Sequence, residues 1–198
     1  DGSFPLGACV LAACLTHGIP TYAGILIAFC AGLLAGVITT TIYTKLHIPD
    51  LLAGILTMTI LYSVNLRIMG NKANISFLRV PTLFSKIIDF CYDKLSFIEN
   101  PDWALVAFLI VFVLILKSLL DTFFHTDMGL TMGALGSNPQ LVISQGVNPT
   151  ILRLIGISFG NGLAAVAGAF ASMYNGFAEV GMGTGIVVSG LASLMLGE

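Results

Sequence analysis

Apolar residues run through this chain in long uncharged blocks separated by short polar breaks. The longest blocks are 21–44 and 154–178, of 24 and 25 residues, neither with a charged side chain. A bilayer core is about 30 Å thick, and a helix needs about 20 apolar residues to cross it. Both blocks therefore predict membrane-spanning helices. Residues 51–66 make a shorter uncharged block closed by Arg67, whose long side chain can carry its charge back to the interface. Residues 103–120 are apolar apart from Lys117, and Trp103 stands where an interfacial aromatic anchor would. The pattern predicts spans at about 21–44, 51–68, 103–120 and 152–175. A partial apolar segment lies at each end, 4–15 and 185–197. The first is too short to cross alone. It reads as the end of a longer span or as a broken helix entering from Asp1-Gly2-Ser3. Continuous runs exclude a β-barrel, whose strands would alternate over about ten residues. The fold class expected is all-α, a polytopic transmembrane helical bundle in one domain, 1–198. A chain that starts at Asp1 and stops after an apolar run reads as truncated at both ends.

Small residues mark where helices would pack. Gly32 and Gly36 form a GxxxG pair. Gly156, Gly160, Ala164, Gly168 and Ser172 recur at every fourth position and predict a close-approach stripe, as do Gly185, Ser189, Ser193 and Gly197. Between the spans, 83–98 alternates apolar and polar positions in a way that fits an amphipathic helix on the membrane surface, or one that docks a partner.

Composition agrees with this pattern. Hydrophobic residues are 57% and charged residues 9%, against about 25% charged in soluble domains. The net charge of −2 gives no basis for nucleic-acid binding. Cys9, Cys14 and Cys30 lie in apolar runs and Cys91 stands alone, so no disulfide framework or metal spacing emerges.

Candidate chemistry is sparse. His17, His47 and His125 are scattered among loops, and no nucleophile–base pair is visible, which argues against an intramembrane enzyme. No Asp or Glu lies within the spans, which argues against an ion-coupled secondary transporter. Residues 181–185, Gly-Met-Gly-Thr-Gly, lack the strand and lysine of a phosphate loop and read as a backbone break. Thr59, Tyr62 and Asn65 fall three apart on one helix. Polar groups at membrane depth must face protein or a wet cavity, so these residues, with Ser3 and Asn161, are candidates for a solute path or for interhelical hydrogen bonding.

The loop 121–153 carries a more defined element. Asn138 can cap a helix, Pro139 suits its first position, and Gly146 can close it in a left-handed cap. This predicts a rigid helix of about two turns, either a plain connector or a docking element. Asn138-Pro139, then Gly146-Val147-Asn148, then a Gly/Ala-rich span, resembles the cytoplasmic coupling region of ABC-transporter permeases handling branched-chain amino acids and ribose. Asp1-Gly2-Ser3-Phe4-Pro5-Leu6-Gly7, the stretches 50–59 and 62–70, and 176–183 resemble its amino-acid-type subgroup, some members of which are linked to aromatic amino acids.

The resemblance covers essentially the whole chain. It implies a type II importer permease that is not itself an enzyme and binds no cofactor of its own. Two such permease subunits, as in a homodimer, would surround a central path in the cytoplasmic (plasma) membrane among its lipids. A separate ABC ATPase subunit would use ATP and Mg, and an extracytoplasmic binding protein or lipoprotein would deliver solute. Gly136, Asn138, Pro139, Ser144, Gln145, Gly146 and Asn148 would couple to the ATPase. That places 121–153 inside and 69–102 outside. The distribution of Lys and Arg (Lys72, Arg79, Lys86 and Lys94 outside; Lys45, Lys117 and Arg153 inside) favours the reverse orientation.

Overall fold

The computed structural model describes residues 2–77, 81–86, 88 and 101–197. Its helices are α1 (Ser3–Thr16), α2 (Thr21–Leu46), α3 (Asp50–Ile68), α4 (Pro101–Phe124), α5 (Asp127–Ser137), α6 (Pro139–Ser144), α7 (Pro149–Asn175) and α8 (Ile186–Gly197). Two short strands, β1 (Asn74–Ser76) and β2 (Phe177–Glu179), pair antiparallel with Ile75 opposite Ala178. By their contacts the residues divide into two compact units, one of 1–80 with 157–198 and one of 81–156.

Among the described residues four helices, α2, α3, α4 and α7, are long and apolar enough to cross a membrane. They match the four expected spans, and their ends follow from local chemistry. Gly18, Gly70 and Gly146 each take a positive φ just past a helix, with paired backbone bonds to the preceding turn. At the end of α3, for example, the Asn71 N–H donates to Leu66 O and the Gly70 N–H to Arg67 O. This is the Schellman closure, which glycine adopts without steric penalty. α2 ends on His47, also left-handed, with Pro49 two residues beyond. Large apolar residues stay exposed along these helices, among them Leu26, Leu51 and Leu114. On a helix of membrane length such a face suits lipid.

In the first unit the most buried helix is α1. Leu11, Ala8, Cys9 and Ala12 are fully buried, and Cys14 and Leu15 nearly so. The described part of α1 is about 21 Å long at 1.5 Å per residue and packs among longer neighbours. Its approach to α7 is governed by glycine. A Cβ on Gly7 would land on the carbonyl of Ala165, and one on Gly168 on the carbonyl of Phe4. Residue numbers rise on α1 as they fall on α7, so the two helices run antiparallel at this crossing. α2 meets α7 through the expected GxxxG pair, Gly32 against Asn161 and Ala165 and Gly36 against Ser158. Phe29 packs edge-to-face on Phe159 beside it, with ring centroids 5.9 Å apart.

The fourfold stripe on α7 is only partly used. Gly168 and Ser172 are buried, but Gly156 and Gly160 are exposed, and a Cβ added at either would have no neighbour within 4 Å. Four residues of an α-helix turn through about 400°, so a strict fourth-position series drifts by about 40° at each step. The buried line on α7 runs through Ser158, Gly162, Ala165, Ala169 and Ser172, with Gly168 beside it, and mixes steps of three and four.

The second unit contains α4, α5, α6 and the start of α7. α5 is not expected from the sequence. Thr126 caps it, its hydroxyl accepting from the Gly129 N–H at 3.4 Å. Of the surface helix expected within 83–98, residues 83–86 and 88 are helical and the rest lies outside the described residues. The strand pair is likewise unforeseen: it joins the chain just after α3 to the chain just after α7, within stretches that read as loops.

Candidate solute cavity and coupling helix

At the N-terminal end of α1, in the first unit, lies a cavity of about 110 Å³. α3 contributes Met58, Tyr62 and Asn65, α1 and its preceding residue contribute Pro5 and Gly2, and the turn after β2 contributes Val180, Gly181, Gly183 and Thr184. The helical repeat explains the α3 wall. Tyr62 and Asn65 are one turn apart and flank the same face. Tyr62 is 56% exposed, whereas Asn65, one turn further along, is 0% exposed. Neither the Asn65 side-chain oxygen nor its nitrogen has a hydrogen-bond partner. Leaving such groups unpaired costs about 1–3 kcal/mol each. The glycine-rich run 181–185, expected from sequence to be a backbone break, is a series of turns that forms the opposite wall.

The five residues expected along a solute path separate into three groups. Tyr62 and Asn65 line the cavity. Ser3 and Asn161 instead bond to each other, the Ser3 hydroxyl donating to Asn161 Oδ1 at 2.5 Å, while Asn161 Nδ2 donates to Ile157 O at 2.8 Å. They latch α1 to α7 with their polar atoms satisfied. Thr59 is exposed, and its hydroxyl donates to Ile55 O one turn back at 3.0 Å. This internal bond removes the need for a protein or water partner. A double-mutant cycle on Ser3→Ala and Asn161→Ala, read by thermal unfolding in detergent, is expected to give a coupling energy of about 0.5–1.5 kcal/mol. Additive effects would show that the latch does not form.

The second candidate site is α6. Asn138 caps it, its side-chain oxygen accepting from the Leu141 N–H at 3.2 Å, and Pro139 occupies the first turn. The far end closes as expected: the Val147 N–H donates to Val142 O at 3.3 Å and the Gly146 N–H to Ile143 O at 3.0 Å, with Gly146 at φ 79°. Val142 is fully buried, whereas Leu141 and Ile143 are 48% and 57% exposed. Gly136, Ser144, Gln145 and Asn148 are exposed as well. Asn148 repeats the device of Asn138, accepting from the Thr150 N–H at 2.9 Å and setting Pro149 as the first residue of α7. Sequence reasoning misses the apolar contribution of Leu141 and Ile143. The signal is present, since two large apolar side chains flank the only apolar position a six-residue helix needs to bury.

Among the described residues no group of three or more His, Cys, Asp or Glu side chains could hold a metal ion. The long apolar helices and their glycine-mediated packing define a polytopic helical membrane protein. Within that class, the chain belongs to the family described as branched-chain amino acid transport system / permease component, whose model matches residues 1–198. It is 37% identical over 197 residues to a protein of Clostridioides difficile named tyrosine transport system permease protein, an alignment covering all of this chain and 61% of that protein. It is 35% identical over 203 residues to an uncharacterized protein of Rickettsia prowazekii, covering all of this chain and 65% of that one. The chain therefore spans just under two thirds of the length of these curated relatives. No solved structure matches it.

Proposed function

We propose that this chain belongs to the permease subunit of an ATP-driven ABC importer in the cytoplasmic membrane, and that it moves a small solute, an amino acid. The observation that carries this reading is the family match over the whole chain. The Clostridioides relative, named for tyrosine transport, favours an aromatic amino acid as solute. The permease acts as a pair, a homodimer, with a central path between its helices and lipid around them. It performs no hydrolysis and binds no cofactor. ATP and Mg are used by a separate ATPase subunit, which docks on 121–153 through α6 and its flanks, Gly136, Asn138, Pro139, Ser144, Gln145, Gly146 and Asn148. An extracytoplasmic binding protein or lipoprotein selects the solute and delivers it to the side of the membrane on which 69–102 lies.

The test is reconstitution of the full permease with the ATPase and binding protein encoded beside it. Uptake of labelled tyrosine into proteoliposomes is expected only with ATP, the ATPase and the binding protein all present. Uptake driven by an ion gradient with no ATPase would instead identify a secondary transporter.

A further inference from the structure

We infer that the cavity at the N-terminal end of α1 is a side-chain site, which takes the aromatic ring of the solute. This rests on the transport reading above, with an aromatic amino acid as solute, and adds a binding site to it. The lining is almost wholly apolar and carries no charged residue. Two of its three polar side chains offer a ligand nothing. Asn65 borders the cavity, but both of its amide atoms are buried out of reach. The Thr184 hydroxyl is engaged, donating to Gly181 O. What remains for a ligand to touch is the Tyr62 ring, together with Met58, Pro5, Val180 and glycine backbone.

These groups favour an aromatic ring over an aliphatic chain. A ring gains on Tyr62 by offset stacking or edge contact. It gains on Met58 through the polarizable sulfur. An aliphatic group of the same area gains neither. Gly2, Gly181 and Gly183 bring the other walls to backbone level, where a flat ring can lie against them. The volume of about 110 Å³ is of the same order as the roughly 150 Å³ apolar cavity that stays dry and takes up benzene. No ordered water has to be stripped from such a space, and an entering ring supplies contacts that its walls lack. Depth adds an independent argument. Tyr62 lies only about 4 Å beyond the middle of the Leu51–Ile68 span at 1.5 Å per residue. The aromatic belt of a membrane protein sits at the interface. Anchoring therefore does not account for a phenol ring more than half exposed at that depth. A ring that meets the solute does.

The experiment uses the complete permease–ATPase complex in nanodiscs, without ATP and without the binding protein, so that solute selection by that partner does not enter. Saturation transfer from the complex to L-phenylalanine is measured by NMR, with empty nanodiscs as the blank. Transfer to the ring protons is expected. L-Tyrosine displaces it; glycine, which has the same head group and no side chain, does not. Cyclohexylalanine, whose ring is aliphatic, competes at least about threefold more weakly than phenylalanine itself. Met58→Trp fills the cavity and abolishes the transfer. Tyr62→Leu removes the ring from its wall and weakens binding at least about threefold. Tyr62 is more than half exposed, so its replacement tests the site even where tryptophan at 58 disturbs folding. Competition by glycine equal to that by tyrosine, or by cyclohexylalanine equal to that by phenylalanine, overturns the inference. So does unaltered binding in either variant. Absence of transfer in a complex that carries out ATP-dependent uptake once ATP and the binding protein are supplied also overturns it. An acyl chain of the surrounding lipid would then hold the cavity, and the transport reading would stand. Absence of ATP-dependent uptake in the wild-type system strikes the transport reading, and it is measured separately from binding, which needs no ATP.

Discussion

Gly168→Ala is expected to destabilise the protein by more than about 3 kcal/mol, and Gly7→Ala by a similar amount. The sign is decided by a contest between two effects. Alanine is the better helix former by about 0.5–1 kcal/mol, which alone would make either change stabilising. Against this, the new Cβ at Gly168 would fall on the Phe4 carbonyl, and that at Gly7 on the Ala165 carbonyl. Both obstacles are backbone and cannot rotate away. The only response is for α1 and α7 to separate, which opens the fully buried surface around Leu11, Ala8 and Cys9 and breaks the Ser3–Asn161 bond. The double variant is expected to yield no monodisperse, cooperatively unfolding protein. Gly160→Ala is the internal control, because a Cβ there meets nothing within 4 Å. It should be neutral or raise stability by the propensity difference. Thermal unfolding and size-exclusion profiles in detergent read all four. Wild-type Tm for Gly168→Ala would show that the two helices do not cross at these residues.

Ser144→Arg and Gln145→Arg are expected to leave membrane insertion normal while removing solute-stimulated ATP hydrolysis and transport. Both side chains are exposed at the end of α6, beyond the buried Val142 that anchors the helix. An arginine there leaves the helix caps intact but changes the surface offered to the ATPase. Burying an unpaired charge at the centre of an interface costs at least about 2 kcal/mol, equivalent to about 30-fold in affinity. Gly146→Val acts by a different route. It forces a β-branched residue into φ 79°, at a cost of about 1–2 kcal/mol. This loosens the Schellman closure and the angle at which α6 joins Asn148 and α7. Co-purification of the ATPase with each variant, followed by hydrolysis with and without solute, distinguishes the two routes. If all three variants kept wild-type complex formation and stimulation, α6 would be an ordinary connector.

Local signals in the sequence carried much of this architecture. The Asn138–Gly146 helix was readable because its start and stop depend on residue chemistry within one turn: an asparagine side chain, a proline ring and a glycine free of Cβ. The spans were readable because length and absence of charge suffice. α5 was obscured by its own composition, since Gly129, Gly133 and Gly136 weaken helix propensity while Thr126 supplies the cap that restores it. The strand pair and the cavity were beyond reach for another reason. Asn74 and Glu179 meet through tertiary folding, and nothing near either residue encodes that meeting. Asn65 stands out for its polarity, but that it is buried with both amide atoms unpaired depends on α1 and the 180–184 turn closing over it. Thr59 shares its helix and its spacing, yet it satisfies itself on Ile55.

The Ser3–Asn161 bond joins residues 158 apart in the chain. A ribosome adds about 5–20 residues per second. Some 8 to 30 seconds therefore pass between the synthesis of α1 and that of the helix segment that covers it. During that interval the glycine face of α1 and the Ser3 hydroxyl have no α7 to meet, and α2 and α3 are the neighbours that α1 has. Assembly of this segment is thus ordered by translation: α1 is made before α7 and is enclosed only when α7 arrives.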